Sequence, residues 1–418
     1  MNFRGFIGEQ VLPLQADTTL LVGANGAGKS SALDALASLV AAIPALLIGK
    51  DGMLAESRDQ KNVRFGSARA DWGCGATYGP LGIDYVWRMW AGEDPGPDGG
   101  PGDEPTRNVF DLENAAVPPL TPLPLLAYVH SSSTRKPLAK PISGKALAGR
   151  YAGYAAAFDN ESLQFDALEL WFEQEENLEN QEKLRTRNLA HELPTLRAVR
   201  TALARFLSTL TDSRIGALSV LRSHVDGPLK PARGELVVQK SGQSLFLNQL
   251  SDGERRLVLL VADTARRMVV LNPQMNDALE SPGLLLIDEI ELHLHPRWQR
   301  TVVPALRAAF PRVQLVAATH SPAVMASVHD RSVVVIDDGR VLERVPRTFG
   351  REPNTILETV MGVDLRPAEV QAELDALFAA IDGSPRKAKS LLKRLSEQIG
   401  DDDPDLVRAR AMMAFVAA

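Results

Sequence analysis

The stretch that most restricts what this chain can become is Gly23-Ala24-Asn25-Gly26-Ala27-Gly28-Lys29-Ser30, a complete G-x-x-x-x-G-K-[ST] pattern. It lies between an apolar run, TTLLV, and an Ala/Leu-rich segment that opens at Ser31. Strand, glycine-rich turn and helix in that order let main-chain N–H groups converge on an anion, with the positive end of the helix behind them. Each position has a task. Gly23, Gly26 and Gly28 let the backbone fold closely around phosphate oxygens, Lys29 brings a point charge to the β and γ phosphates, and Ser30 offers a hydroxyl to Mg²⁺. Ser31 starts the helix whose N-terminus completes the cradle. A chance glycine-rich turn is the competing reading, and a full match in the required context outweighs it.

Far down the chain, Leu284 to Ile287 reads as a buried strand that ends in Asp288 and Glu289. Strand ends are where α/β sheets place their chemistry. Adjacent acids point in different directions there, so one can reach a hydrated Mg²⁺ while the other faces a water to be polarised, as phosphoryl transfer requires. Before it, Leu250-Ser251-Asp252-Gly253-Glu254-Arg255 leads into the amphipathic RLVLLVADTARRMVVL. Ser251 and Gly253 set a hydroxyl and free N–H groups at a positive helix end, which serves either as a second anion site or as an ordinary N-cap. Beyond it, the strand Val313 to Ala318 runs into Thr319-His320-Ser321-Pro322. His320 then stands beside the acid-bearing strand, within reach of a γ-phosphate or the attacking water, unless it only serves an N-cap loop.

The rest of the chain supplies the frame. Phe3 to Val22 reads as a strand pair turning at Ala16-Asp17, and Ala68 to Thr77 and Gly82 to Trp90 as two antiparallel strands. Ala91 to Pro124 is too rich in Pro, Gly and Asp to bury itself and reads as a surface loop. Leu125 to Val129 is a short buried strand before the polar loop His130 to Arg135. His130 reads as a satisfied loop histidine, and Arg135 as a candidate for phosphate or partner contact. Ser162 to Leu210 is helical, with Leu163, Phe165, Leu168, Leu170, Trp171 and Leu178 on one face. The acids of EQEENLENQEKLRTRN read as its solvated face, and the segment is too short for a coiled-coil arm. Gly234 to Asn248 is a hairpin around Ser241-Gly242, Arg297 to Phe310 a helix, and SVVVID with VLERV a hairpin turning at Asp338-Gly339. After Val345 come a loop and the helices Glu369 to Ile381, Pro385 to Ile399 and Pro404 to Phe415, the last with Asp403 as N-cap. Lys387, Lys389, Lys393 and Arg394 form a basic strip that reads as a solvated face. The expected domains are 1–158, an N-terminal lobe; 159–225, a helical insert; 226–345, a second lobe; and 346–418, a helical extension.

Composition narrows the partners. A formal net charge of −6 over 418 residues offers no global basic field for nucleic acid or acidic lipid. The lone cysteine, Cys74, excludes an internal disulfide and a thiolate zinc cluster, suits a reducing cytoplasm, and reads as core filling. There is neither a basic-then-apolar leader nor an apolar run of membrane-spanning length, so the expectation is a cytoplasmic protein with no membrane partner.

The ordered set GANGAGKS, LSDGE, LLLIDE, LHLHP and ATHSP resembles the ATP-binding-cassette ATPases. Within them it is similar to the branch of the structural-maintenance-of-chromosomes proteins and RecF, where an opening like NFRGF is also typical. The resemblance implies an α/β fold: an ABC-type P-loop NTPase head, a mixed sheet with flanking helices and an antiparallel β subdomain, carrying a helical insert and a C-terminal helical extension. It implies that Gly23, Asn25, Gly26, Gly28, Lys29, Ser30 and Ser31 hold ATP, that Ser30 and Asp288 place Mg²⁺, and that Glu289 and His320 are catalytic. Ser251 and Gly253 would bind the ATP of a facing second copy, LHLHP would overlap the D-loop, and Arg4 would approach the nucleotide. The Q-loop glutamine has no unambiguous match: the loop after Val129 occupies a suitable place but contains no Gln. QLSDGERRLVLLVADTARRM, LIDEIELHLHPRWQRTVVPAL, THSPAV and TILETVMGVDLRPAEVQAELD more closely resemble the PtuA ATPases of Septu and retron-associated antiphage defence. That implies a homodimer or higher homo-oligomer around ATP, an HNH-type nuclease partner of the PtuB kind, and DNA contact through the assembly as an open matter. No Toprim-like acidic module follows Val345, and His293 and His295 lack the further ligands a zinc site needs. The alternative is a repair ATPase of the RecF or chromosome-maintenance kind that clamps DNA directly. A transporter's ATP-binding subunit is disfavoured by LSDGE, LHLHP and the helical insert.

Overall fold

The aliphatic residues of TTLLV form β1 (Thr18–Val22), buried along its whole length. In the computed structural model the described residues are 3–41, 43–44, 64, 67, 69–78, 83–92, 121–131, 149–159, 165–210, 215–222, 234–343, 347–363, 366–381 and 383–417. Two compact units emerge, Met1–Glu352 and Pro353–Ala418.

In the first unit, β1 is followed by α1 (Lys29–Val40), the antiparallel pair β2 (Arg69–Tyr78) and β3 (Ile83–Gly92), β4 (Leu125–Val129), α2 (Phe165–Thr186), α3 (Pro194–Thr209), β5 (Ile215–Arg222), β6 (Gly234–Lys240), β7 (Gln243–Phe246) and α4 (Asp252–Leu271). Then come β8 (Gly283–Ile287), α5 (Pro296–Gln299), α6 (Val302–Ala309), β9 (Val313–Thr319), α7 (Pro322–Met325), β10 (Val333–Asp337) and β11 (Arg340–Val341). The main sheet has six strands in the order β11-β10-β1-β9-β8-β4, parallel except for the antiparallel β10–β11 edge. A second sheet, β5-β6-β7, is antiparallel. The observed architecture is thus the α/β mixed sheet with flanking helices and antiparallel β structure that the sequence implies.

Register decides where chemistry gathers. Val22 is level with Thr319, Ile287 with Ala317, and Val129 with Ile287. Gly23, His130, Asp288 and His320, each the residue next after its strand, therefore emerge along one edge of the sheet, the carboxyl edge where α/β sheets bind ligands. β1 and β4 are buried at every position, as strands of a parallel core covered on both faces should be.

Several expectations change. Only Thr18–Val22 of the expected Phe3–Val22 strand pair is a strand; from Ile7 to Asp17 the chain is irregular. Pro13 lacks a donor for a ladder, and side chains take over. Gln10 Nε2 donates to Ile7 O at 2.7 Å, Gln10 Oε1 accepts from Val341 N at 2.9 Å, and Gln314 Nε2 donates to Gln15 O at 2.6 Å. The helix expected over Arg297 to Phe310 splits into α5 and α6, because Pro304 cannot share a continuous helix with the carbonyl of Arg300. The glutamates of α2 are not a solvated face. Glu169, Glu173 and Glu176, spaced along one side of the helix, accept from the main-chain N–H groups of Leu236 at 3.1 Å, Gly234 at 3.0 Å and Val220 at 3.2 Å. Glu179 is buried and accepts from Lys183 at 2.7 Å, Arg200 at 3.1 Å and Leu193 N at 3.0 Å. These acids tie the helix pair to strands β5 and β6 and to each other.

The tight turns follow the sequence. Ser241 and Gly242, and likewise Asp338 and Gly339, have positive φ, as a two-residue hairpin turn with the sheet's twist requires. Within α4, the fully buried Arg267 donates to Asp263 at 2.7 Å and to the carbonyls of Gly153 and Ala155 at 3.1 and 2.7 Å, so neither buried charge lacks a counterpart.

The second unit holds α8 (Pro353–Met361), α9 (Ala368–Ile381), α10 (Pro385–Ile399) and α11 (Pro404–Ala417). Leu374, Leu377, Ile381, Leu395 and Leu406 form its core. α8 occupies part of the expected loop. Asp403 accepts from Asp405 N at 3.0 Å, the N-cap its place before Pro404 suggests. Among the described residues, no helix is long and apolar enough to cross a membrane. Arg135, and the expected loop from 93 to 120, lie outside the described residues.

Candidate functional site: a phosphate cradle facing a carboxylate cluster

The loop between β1 and α1 can close only because of its glycines. A Cβ at Gly23 would stand 2.1 Å from the Ile336 carbonyl, and Gly28, at φ +116°, is the left-handed N-cap of α1. Asn25 is exposed at the loop tip, and Ser31 lies in the first turn of α1. Lys29 is buried beneath the loop and its Nζ donates to the carbonyls of Gly23 and Ala24, each at 2.9 Å. Burial pushes its ammonium below the usual lysine range, against the opposing pull of Glu291, Asp288 and Glu289.

The acid pair divides as its position predicts. Asp288 is buried; Oδ1 accepts from Ser30 Oγ at 2.9 Å, Oδ2 from Ser131 Oγ at 2.9 Å, and its N–H donates to Val129 O at 2.8 Å. Glu289 has a left-handed backbone, φ +50°, that turns it away from the direction of the strand. It is half-buried, and among the described residues its carboxylate makes no hydrogen bond. One acid is thus locked and the other is free to meet a ligand.

Ser131, Arg256 and Glu291 escaped the sequence reading. Arg256, in the first turns of α4, donates to the Asp288 carbonyl at 3.1 Å. Burial lowers its pKa, while Glu289, Asp288 and Glu291 pull it back up. Glu291 is buried, with Oε2 accepting from Thr319 Oγ1 at 2.7 Å and Oε1 from the main-chain N–H of His320 at 2.8 Å. The available signals were a third acid in DEIE, a second arginine in GERR and the first serine of SSS. None distinguishes a buried partner from a solvated one.

His320 Nδ1 lies 3.1 Å from Glu291 Oε1, off the direction of a hydrogen bond, while the side chain is 42% exposed. Ser321 Oγ donates to Gln299 Oε1 at 2.7 Å, and Gln299 Nε2 donates to Leu294 O at 3.0 Å, which ties the histidine loop to the LHLHP segment. Ser251 and Gly253 stand apart from this cluster. Ser251 is the exposed N-cap of α4 in a reciprocal capping box with Glu254. A Cβ at Gly253 would stand 2.3 Å from the His293 carbonyl, so glycine is needed there for close packing. Among the described residues, no hydrogen bond joins Ser251 or Gly253 to the cradle.

Arg4, expected near the nucleotide, is paired with Asp34 of α1, whose other oxygen accepts from Tyr128 Oη at 3.0 Å. His295 Nδ1 accepts from Arg297 N at 3.2 Å as the N-cap of α5, and His293 is exposed. The His130 ring lies against Tyr128, tilted by 42° with ring centroids 3.8 Å apart. No group of three or more His, Cys, Asp or Glu side chains fit to hold a metal occurs among the described residues. The Ser30 hydroxyl and the Asp288 carboxylate are hard oxygen donors of the kind Mg²⁺ takes beside phosphate oxygens, so the residues present fit that ion.

A glycine cradle, a lysine beneath it and a serine–aspartate pair at the sheet edge define the P-loop class of nucleotide-binding proteins. The chain belongs to the family described as "AAA domain, putative AbiEii toxin, Type IV TA system", whose model matches residues 100–326 of the 418. A model described as the P-loop containing region of AAA domain matches residues 1–46. The chain is 34% identical over 187 residues to the "Retron Ec83 probable ATPase" of Escherichia coli, covering 44% of this chain and 34% of that protein. It is 40% identical over 90 residues to "Septu protein PtuA" of Bacillus mycoides, covering 22% of this chain and 12% of that one. The match thus spans about a third or less of these relatives' own length. Among solved structures, the SMC head bound to the C-winged helix domain of ScpA aligns with a TM-score of 0.46 and 18% identity, over 82% of this chain and 96% of that one.

Proposed function

We propose that this chain hydrolyses ATP with Mg²⁺, dimerises around the nucleotide, and thereby controls a partner nuclease in bacterial antiphage defence. The observation that carries the hydrolytic reading is the Ser30–Asp288 hydrogen bond, 2.9 Å long between residues 258 positions apart, beside a lysine tucked under the glycine loop.

The N–H groups of residues 24 to 30 and the helix N-terminus hold the phosphates, and Lys29 exchanges its loop carbonyls for β and γ oxygens. Ser30 and Asp288 would hold Mg²⁺, which offsets phosphate charge when bound. Glu289, with its unengaged carboxylate, orients and polarises a water. That water's oxygen attacks the γ-phosphorus as the bond to the β–γ bridging oxygen breaks, and ADP leaves with that electron pair. His320 steadies the water and the γ-phosphoryl group. Ser251 and the N-terminus of α4 complete the site of a facing copy, so loss of the γ-phosphate loosens the pair. The defence role and the HNH-type partner rest on the similarity to retron ATPases and Septu PtuA.

Glu289→Gln keeps the shape and removes the base. Turnover is expected to fall on the order of 10³-fold while ATP binding persists and an ATP-bound dimer accumulates, read by phosphate release and by mass in solution. Undiminished turnover removes Glu289 from the role. Purification of the protein with its native neighbours, with every co-purifying chain identified, tests the partner: a stoichiometric nuclease supports the defence reading, and a lone ATP-dependent dimer that retains DNA replaces it with a repair-type clamp.

A further inference from the structure

Glu291 is the one buried carboxylate of the cluster whose oxygens are both committed to the histidine loop. Oε2 accepts from Thr319 Oγ1 at 2.7 Å and Oε1 from His320 N–H at 2.8 Å, with His320 Nδ1 3.1 Å from that same Oε1. Nδ1 is itself buried. A carboxylate oxygen only accepts, so a bare Nδ1 lone pair facing it at this distance is repelled, whereas Nδ1–H is attracted. In the neutral ring the proton is thereby assigned to Nδ1, and Nε2 keeps the lone pair.

We propose that Glu291 is a positioning residue that fixes the main chain, orientation and tautomer of His320, so that Nε2 accepts a hydrogen bond from the attacking water. This rests on the reading of the chain as an ATP hydrolase. Glu291 is not itself the base, because its two oxygens are already occupied by Thr319 and His320, whereas Glu289 is unengaged. Its position explains how a histidine at a loop start, with an exposed ring, keeps one orientation: the carboxylate grips the peptide N–H, the preceding hydroxyl and the near side of the ring together. Outer partners of this kind set the tautomer of functional histidines elsewhere.

Phosphate release by the full-length chain with Mg-ATP tests it in Glu291→Ala, Glu291→Gln, His320→Ala and the Glu291→Ala/His320→Ala double variant. Glu291→Ala is expected to lower kcat about 10- to 100-fold with KM changed by less than about twofold. The double variant is expected to be no slower than His320→Ala alone, because the carboxylate acts through the ring. Glu291→Gln, which keeps an acceptor oxygen, is expected to recover kcat to within about fivefold of the native chain. Additive losses in the double variant, a raised KM with kcat intact, or a Gln variant as slow as Glu289→Gln each overturn the proposal. Because Glu291→Ala empties a buried position, folding is checked by thermal melting, and the Gln variant keeps the test alive where the Ala variant fails to fold. A second readout needs no turnover. Long-range ¹H–¹⁵N spectra of histidine-labelled protein, with His320 assigned by its loss in His320→Ala, should show the Nδ1–H form in the native chain and loss of that preference in Glu291→Ala. An Nε2–H native tautomer overturns the proposal. Absence of hydrolysis by the native chain removes the ATPase reading instead, and leaves the spectra to decide Glu291.

Discussion

The cradle end and the α4 end of the first unit are both helix N-termini, yet they are built differently. At the cradle, Lys29, Ser30, Ser131, Asp288, Glu291 and His320 come from four separate stretches of chain and are interlocked by short hydrogen bonds and close charges. At α4, Ser251 is held by a capping box with Glu254, which also pairs with Lys240 at 2.7 Å, and Gly253 packs against the His293 carbonyl. In the proposed dimer around ATP, one half of each site would be finished within a chain and the other offered by the facing copy. Arg256 bridges the two ends, since it lies on α4 and donates to the Asp288 carbonyl.

That contrast can be broken by experiment. The largest effect is expected for Lys29→Ala: removing the cation under the loop should lower kcat/KM on the order of 10³-fold and abolish ATP binding in equilibrium dialysis. Persistence of tight binding would show that the cradle is not the nucleotide site. Ser251→Ala should reduce turnover about 10²-fold and abolish the ATP-driven change in mass, while a single chain still binds ATP. Its cost to stability is that of a lost cap, about 1 kcal/mol. Loss of binding equal to that of Lys29→Ala would merge the two ends into one site and end the comparison.

Away from both ends, Glu179→Ala should destabilise the α2–α3 pair by about 3 kcal/mol, since it leaves Lys183 and the Leu193 N–H without their buried acceptor and Arg200 with Glu192 alone. Calorimetry reads this as a lowered Tm with nucleotide affinity unchanged. Burial alone would raise the Glu179 carboxyl, but hydrogen bonds from Lys183, Arg200 and Leu193 N outweigh it and hold it below its ordinary value of 4.5. A depressed folded-state pKa gives stability that is full above 4.5 and is lost as pH falls through the lower folded value. The native chain should therefore lose this contribution only below about pH 4.5, and the variant should show a flatter acid limb. The smallest effect is chemical. Burial pushes the Cys74 thiol up to about 11, so maleimide labelling near pH 7 should be slow and should accelerate as pH approaches that value. Rapid labelling at neutral pH would contradict the desolvation of this half-buried thiol.

Much of the sheet was legible because strands β1, β4, β8 and β9 are largely aliphatic runs, the pattern of strands covered on both faces. The hairpin turns at Ser241-Gly242 and Asp338-Gly339 were legible because positive φ demands particular residues. The α2 glutamates were not. A run of acids on a helix has the same pattern whether it faces water or the open N–H groups of a neighbouring strand, and only the arrival of β5 and β6 decides between them.

By itself, then, the sequence determined the local chemistry. It specified a phosphate-shaped loop at Gly23 to Ser30, two acids at a strand end, a capped helix at Ser251 and a histidine after β9, because glycine conformation, capping and strand burial act over a few residues. The tertiary structure alone decided which acid is held and which is free. Asp288 receives Ser30 and Ser131 from distant parts of the chain, Glu289 turns away on a left-handed backbone, and Glu291 meets Thr319 and His320. Those pairings depend on parallel strands brought level by their register, and residue type alone does not encode which strand ends become neighbours.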